Sequence, residues 1–188
     1  MARKRQNEHR RKDLLKQGME LLAEHGYHGT GLKMILDTVQ VPKGSFYNYF
    51  DSKEQFVSQI IGQYSRDTAA RLDNFIAESN SDPVTTIQRI YQALLAEIEN
   101  KGLKGCLVGN LAAEIGSGSD VCRESMQRAL RSWKKRFISL ISAAQEQNRV
   151  RTDLDAAVLC DILWDTWQGA LLKTKIDGST DHLRQVIE

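Results

Sequence analysis

Two stretches of this chain hold side chains able to do chemistry. In KGLKGCLVGNLAAEI, residues 101–115, Cys106 follows Gly102 and Gly105 at or near a helix start, with Lys101 and Lys104 close in sequence. Unpaired backbone N–H groups and neighbouring cations both favour the thiolate, the nucleophilic form of cysteine. The alternative for such a residue is a small buried hydrophobe, the common fate of a free cysteine. Cys122 follows Asp120, whose carboxylate discourages a thiolate, and Cys160 lies in a densely apolar segment and reads as core filler. Lys175 falls at i+4 from Leu171 and i+8 from Trp167, on an apparent inward stripe. There its ammonium either snorkels past the helix end, pairs with a Cys106 thiolate or Glu114, or simply balances the helix dipole in the last turn. His9, His25, His28 and His182 show no metal-ligand spacing, and three cysteines without regular spacing fit neither a disulfide framework nor a zinc site.

The second stretch is VPKGSFYNYFDSKEQF, residues 41–56. The chain has five phenylalanines, five tyrosines and three tryptophans, and Phe46, Tyr47, Tyr49 and Phe50 fall within five consecutive positions. Phe46 and Phe50, four apart, face one way, toward a core, so Tyr47, Asn48 and Tyr49 project elsewhere. A tyrosine offers an apolar body and a hydroxyl that reaches phosphate oxygens; an asparagine amide matches an adenine edge. Gly44 allows close approach to a backbone, and Lys43 and Ser45 stand at the leading end of this segment. Lys53 opens the next helix, where the dipole disfavours a cation, and suits a neighbouring anion.

The elements that must position these residues are helical throughout. Leu15, Met19, Leu22 and Ala23 mark an apolar helical face that stops at Gly26, and Thr30 is a suitable N-cap for a short helix carrying Leu32, Ile35, Leu36 and Val39. After Pro42 the chain restarts and runs through the aromatic cluster. Two short helices joined by residues 40–43, with a third behind, make a helix-turn-helix whose second helix enters a major groove. Ser52 with Gln55 forms a capping box for a long helix. Asp82 and Pro83 open another that stops at Gly102; Ser119 and Asp120 cap a third, and Thr152 with Asp155 open the last. In that last helix Leu163, Trp164, Trp167 and Leu171 spread over a wide arc, which calls either for a dimer partner or for a central place inside one subunit. The expectation is an all-α chain: a basic arm and DNA-binding domain over residues 1–52, and a helical sensing and dimerisation domain over 53–188.

Charge supports that division. Residues 1–53 hold ten Lys/Arg against six Asp/Glu, residues 54–188 sixteen against eighteen, and six of the ten cations lie in the first twelve positions. Those twelve read either as a solvated tail or as an arm for phosphate or minor groove. No apolar run approaches the ~18 residues of a membrane span, and a reducing cytoplasm is the expected location. No nucleophile–base pair, metal cluster or phosphate-cradling loop points to an enzyme or a cofactor. A general DNA-organising protein would carry more cation excess than a net charge of +2.

Residues 10–57 closely resemble the DNA-binding domain of the TetR family of bacterial transcriptional regulators, on Gly26, Tyr27, Thr30, Val41, Gly44, Ser45, Phe46, Tyr47, Tyr49, Phe50, Lys53 and Glu54 in order. The resemblance implies a repressor, dimeric through its last two helices, that leaves a palindromic operator in double-stranded DNA when a site in its C-terminal domain is occupied by a small molecule or reactive inducer. It implies base-proximal roles for Lys33, Lys43, Ser45 and Asn48 and phosphate contacts for Thr30, Tyr47, Tyr49 and Lys53. Gly105, Cys106, Leu107, Leu111, Ala113 and Glu114, with Trp167, Gly169, Ala170, Leu172, Lys175 and Ile176, are similar to a subgroup containing repressors of N-ethylmaleimide reductase and acrylate-responsive regulators. That similarity implies an electrophile- or oxidant-sensing Cys106. The alternative is a repressor gated by a reversibly bound hydrophobic ligand, with Cys106 structural.

Overall fold

The computed structural model describes residues 2–79, 81–102 and 105–188, without the side chains of residues 2–6, Lys43 and Lys101. In chain order the elements are α1 (Ala2–Gly29), α2 (Leu32–Thr38), the 3-10 turn η1 (Lys43–Asn48), α3 (Lys53–Glu78), α4 (Pro83–Lys101), α5 (Leu107–Ile115), α6 (Asp120–Glu146), α7 (Ala156–Asp177) and α8 (Asp181–Ile187). Among the described residues there is no strand, so the chain is all-α. It folds as two compact units: residues up to Ser65 together with Leu107–Ala129, and Arg66–Cys106 together with Leu130–Glu188. The first unit therefore runs past residue 52 and takes in α5 and the start of α6, because Leu107, Leu111 and Ile115 bury their side chains in its core.

Capping residues set most helix ends in the way their types suggest. Asp82 Oδ1 accepts from the Val84 and Thr85 N–H groups at 3.1 and 3.2 Å, and Pro83 supplies a first position that has no N–H to satisfy. The Ser52 hydroxyl accepts from Gln55 N at 3.0 Å, while the Gln55 carbonyl reaches Asp51 N at 2.7 Å, a capping box displaced by one residue. Two ends differ from expectation. Gly31, not Thr30, is the N-cap of α2. The C-terminus of α2 closes without glycine: Val41 N donates to Leu36 O and Gln40 N to Asp37 O, which puts Gln40 in the left-handed region at φ 52°.

α1 is longer than the apolar pattern indicates. The basic first dozen residues, expected as a tail or arm, continue the helix from Ala2, and Arg11 bonds to Gln59 and lies 5.5 Å over the Phe50 ring. At Gly26 the helix breaks, with φ 70° and ψ −173°. Phe46, Phe50 and Phe56 form one aromatic knot at the centre of the first unit, their ring centroids 4.8–5.5 Å apart. A Cβ at Gly18 would overlap the Phe56 ring, so glycine permits the close approach of α1 to α3.

The second unit is built around α7. Tyr91 of α4 packs with both Phe137 of α6 and Trp167 of α7, and Trp133 stacks on Phe137 at 4.3 Å and meets Trp164 at 4.7 Å. Trp167 and Leu171 are buried in the chain's own core, and Leu163 and Trp164 are half-buried in it. The four residues expected at a dimer surface are thus mainly internal packing, because α4, α6 and α8 cover that side of the helix. α8, a seven-residue helix with no counterpart in the sequence reading, is held by Leu183 in the core and by Thr180 and Arg184 on Glu99.

Candidate nucleic-acid interface and sensing cysteine

η1 opens after Pro42, whose carbonyl accepts from Ser45 N at 2.8 Å, and closes with Tyr49 N on Phe46 O at 2.9 Å. The expected reading helix is therefore a 3-10 turn, in which i→i+3 bonds replace the α pattern. Phe46 and Phe50 point fully inward. Tyr47 is 62% exposed, Asn48 and Gly44 are exposed, Ser45 is partly so, and Tyr49 packs half-buried against the core. A Cβ at Gly44 would meet nothing within 4 Å, leaving that edge open to a large partner. Lys33 is exposed on α2, beside Met34 and Asp37. The Lys43 side chain lies outside the described residues.

Thr30 and Lys53 have occupations that sequence reasoning missed. Thr30 is fully buried and its hydroxyl donates to Leu21 O at 3.1 Å, so its side chain is turned away from any phosphate. Lys53 Nζ donates to Tyr27 O at 2.6 Å and sits 4.0 Å from the Tyr27 ring centroid. The cation that looked misplaced at a helix start thus serves the C-terminal carbonyls of α1, where the dipole favours it. Burial holds Lys53 below the usual lysine range, against the pull of Glu54 and Glu114. The Tyr27 hydroxyl donates to Glu54 Oε1 at 2.7 Å; that bond holds the Glu54 carboxyl low, while burial first and then Glu54 push the phenol far above its ordinary value.

The three cysteines are free thiols in different settings. Cys106 precedes α5 directly, after Gly105 at φ 73°, and packs half-buried against the core of the second unit. Lys104 lies outside the described residues, as does the Lys101 side chain. Cys122 is buried in the first unit, where its thiol donates to Glu54 O at 3.4 Å and burial raises its pKa. Cys160 is buried in the second unit and burial pushes it up to about 11. Lys175, expected on the inward stripe of α7, is exposed; Thr174 takes the inward place. The stripe leads through residues 167, 171 and 174, a +4, +3 step that Lys175 misses by about 100°. Glu114, considered as a partner for Lys175, instead accepts from His28 N at 2.9 Å.

On the opposite side of α7, Val158, Ile162, Leu172 and Ile176 are exposed, Ile176 to 73%. They stand at i, i+4, i+14 and i+18, one face of the helix, with Gly169 open between them. Among the described residues no group of three metal-binding side chains gathers, and no helix is long and apolar enough to cross a membrane.

Comparison with known proteins agrees with this architecture. Residues 83–188 match the family model described as the tetracyclin repressor-like C-terminal domain, and residues 14–60 match that of bacterial regulatory proteins, tetR family. The HTH-type transcriptional repressor DhaR of Mycobacterium sp. (strain GP1) is 33% identical over 94% of this chain and 88% of its own. The repressor NemR of Escherichia coli (strain K12) is 31% identical over 94% of this chain and 89% of its own. The crystal structure of reduced E. coli NemR superposes with a TM-score of 0.87, covering 95% of this chain and 93% of that one at 28% identity. With both halves matched in order and relatives aligned along nearly the whole length, the chain belongs to the TetR family of DNA-binding transcriptional regulators.

Proposed function

We propose that the chain is a cytoplasmic, homodimeric repressor that leaves a palindromic operator when a reactive electrophile or oxidant modifies Cys106. Lys33, Lys43, Ser45 and Asn48 read base edges; Gly44 allows close approach; Tyr47, Tyr49 and Lys53 hold phosphates. The exposed face of α7 with Val158, Ile162, Leu172 and Ile176 meets the same face of a second copy.

The observation that carries the sensing half is the position of Cys106. Its side chain packs with the second unit, yet the next residue, Leu107, begins the helix that is buried in the first. Addition of the Cys106 thiolate to an activated alkene forms one C–S bond and places a proton on the adjacent carbon; nothing leaves, and the added bulk must be accommodated against the side chains packed around Cys106 just before α5. A shift of about 3 kcal/mol between binding-competent and released states changes occupancy roughly a hundredfold.

A second reading, release by a reversibly bound hydrophobic ligand, draws on Tyr91. Its buried hydroxyl has no hydrogen-bond partner and lies among Trp167 and Phe137. A ligand carbonyl would satisfy such a donor.

The deciding experiment is a gel shift on DNA upstream of the gene, with and without N-ethylmaleimide. Wild type binds that DNA over competitor and is released; Cys106→Ser binds and is not. Release of Cys106→Ser by the reagent transfers the function to the reversible-ligand reading. Equal binding to any DNA points to a general DNA-organising protein.

A further inference from the structure

At Gly26 the backbone of α1 turns to φ 70° and ψ −173°, and the helix continues to Gly29 beyond this kink. His28 N donates to Glu114 Oε2 of α5 at 2.9 Å, and a Cβ at residue 26 would collide with the same carboxylate. The carboxylate therefore lies against bare backbone, an approach that needs both the absence of a side chain at 26 and its φ of 70°. α5 cannot slide freely to make or lose this bond, because Leu111 and Ile115 on either side of Glu114 are buried in the core of the first unit.

Tyr27, between the two gripped residues, carries the contact onward. Its carbonyl accepts from Lys53 Nζ at 2.6 Å, its ring lies under that ammonium, and its hydroxyl donates to Glu54 at 2.7 Å. Lys53 and Glu54 are the first residues of α3, which follows the exposed reading turn directly. An ammonium has three donors, so Lys53 can hold the Tyr27 carbonyl and still reach a phosphate.

We propose that Glu114 is a positioning residue for operator binding: its carboxylate fixes the Gly26–His28 turn, and that turn fixes Lys53 where it meets the DNA backbone. The inference rests on the regulator reading above. It gives α5, the helix that starts beside Cys106, a specific grip on the DNA-reading residues.

The test uses the full chain, a DNA fragment from upstream of its gene, and hydrogen–deuterium exchange. Glu114→Ala weakens DNA binding by about tenfold at unchanged helix content, the order expected when a charge-assisted hydrogen bond no longer places a binding group. Glu114→Gln, which keeps an oxygen acceptor for His28, stays within about threefold. The Glu114→Ala, Lys53→Ala double variant binds no more weakly than Lys53→Ala alone, since both act through one contact. Losses that multiply in the double variant, or wild-type affinity in Glu114→Ala, overturn the proposal. The exchange arm needs no DNA: amides of residues 26–28 exchange faster in Glu114→Ala than in wild type, and equal exchange also overturns it. Should Glu114→Ala not fold, Glu114→Gln decides, retained protection at His28 supporting the grip and its loss overturning it. A wild type without preference for upstream DNA removes the regulator reading alone, while the exchange result still judges Glu114.

Discussion

The Tyr91 ring lies with its centroid 4.7 Å from that of Trp167, tilted by 59°, and this pair defines the inside of α7. Once Trp167 is committed to α4, the helix presents its opposite face, from Val158 to Ile176, to whatever lies outside the subunit. A helix apolar over both arcs calls for a second partner, and the proposed one is a second copy of the chain.

Substitutions on the two faces of α7 therefore differ in kind. Trp167→Ala removes a buried aromatic and costs about 3–5 kcal/mol of folding stability, read from urea unfolding. Ile176→Asp leaves helix content and tryptophan emission as in wild type but shifts sedimentation toward monomer, because a charge then occupies the proposed dimer face. Loss of helicity in Ile176→Asp comparable with that in Trp167→Ala would sink the assignment of faces.

On the reading turn, two exposed side chains of different chemistry take different roles. Tyr47→Ala weakens binding to all sequences alike, since a phosphate contact carries no sequence information. Asn48→Ala chiefly relaxes discrimination at one base pair, by about 1–3 kcal/mol. Affinities for the upstream fragment and for single-base variants of it distinguish the two; the same loss of specificity in both contradicts the roles.

What the sequence made legible was local. Asp82 with Pro83, the break at Gly26, and the inward pair Phe46 and Phe50 each follow from the physics of a few neighbouring residues. What stayed hidden depended on partners remote in sequence. The wide apolar arc of α7 announced two burials without saying which one was internal. Lys53 looked misplaced at the start of its own helix because the carbonyl it serves belongs to Tyr27, at the end of another. Thr30, a good cap by type, turned inward to donate to Leu21 O, and Gly31 took the cap.

Gln40 gives that lesson a measurable form. A non-glycine residue at φ 52° closes α2, and a left-handed conformation costs an ordinary residue roughly 1–2 kcal/mol. Gln40→Gly removes that strain and loses part of the gain to chain entropy, so stability rises by about 0.5–1 kcal/mol. Thermal unfolding reads it directly; a lower melting point would mean that the Gln40 side chain makes a contact worth more than the strain.

The three thiols react in a fixed order. Alkylation needs both a thiolate and a path to it. Cys122 and Cys160 are buried with raised pKa values, Cys160 to about 11, whereas Cys106 is half-buried beside a helix start. Cys106 is therefore labelled first by N-ethylmaleimide at neutral pH, and peptide mapping over time gives the ranking. The buried thiols also tie stability to pH. Cys160 ionises at about 11 in the folded chain against 9.0 for an unperturbed thiol, so below 9 it contributes no pH dependence. Between those values the unfolded chain has lost the proton and the folded chain keeps it, and stability falls as pH rises. Cys160→Ala flattens this decline between pH 9 and about 11. Labelling of Cys160 at neutral pH as fast as Cys106 would show that the second unit opens readily, and would remove the selectivity on which sensing at Cys106 depends.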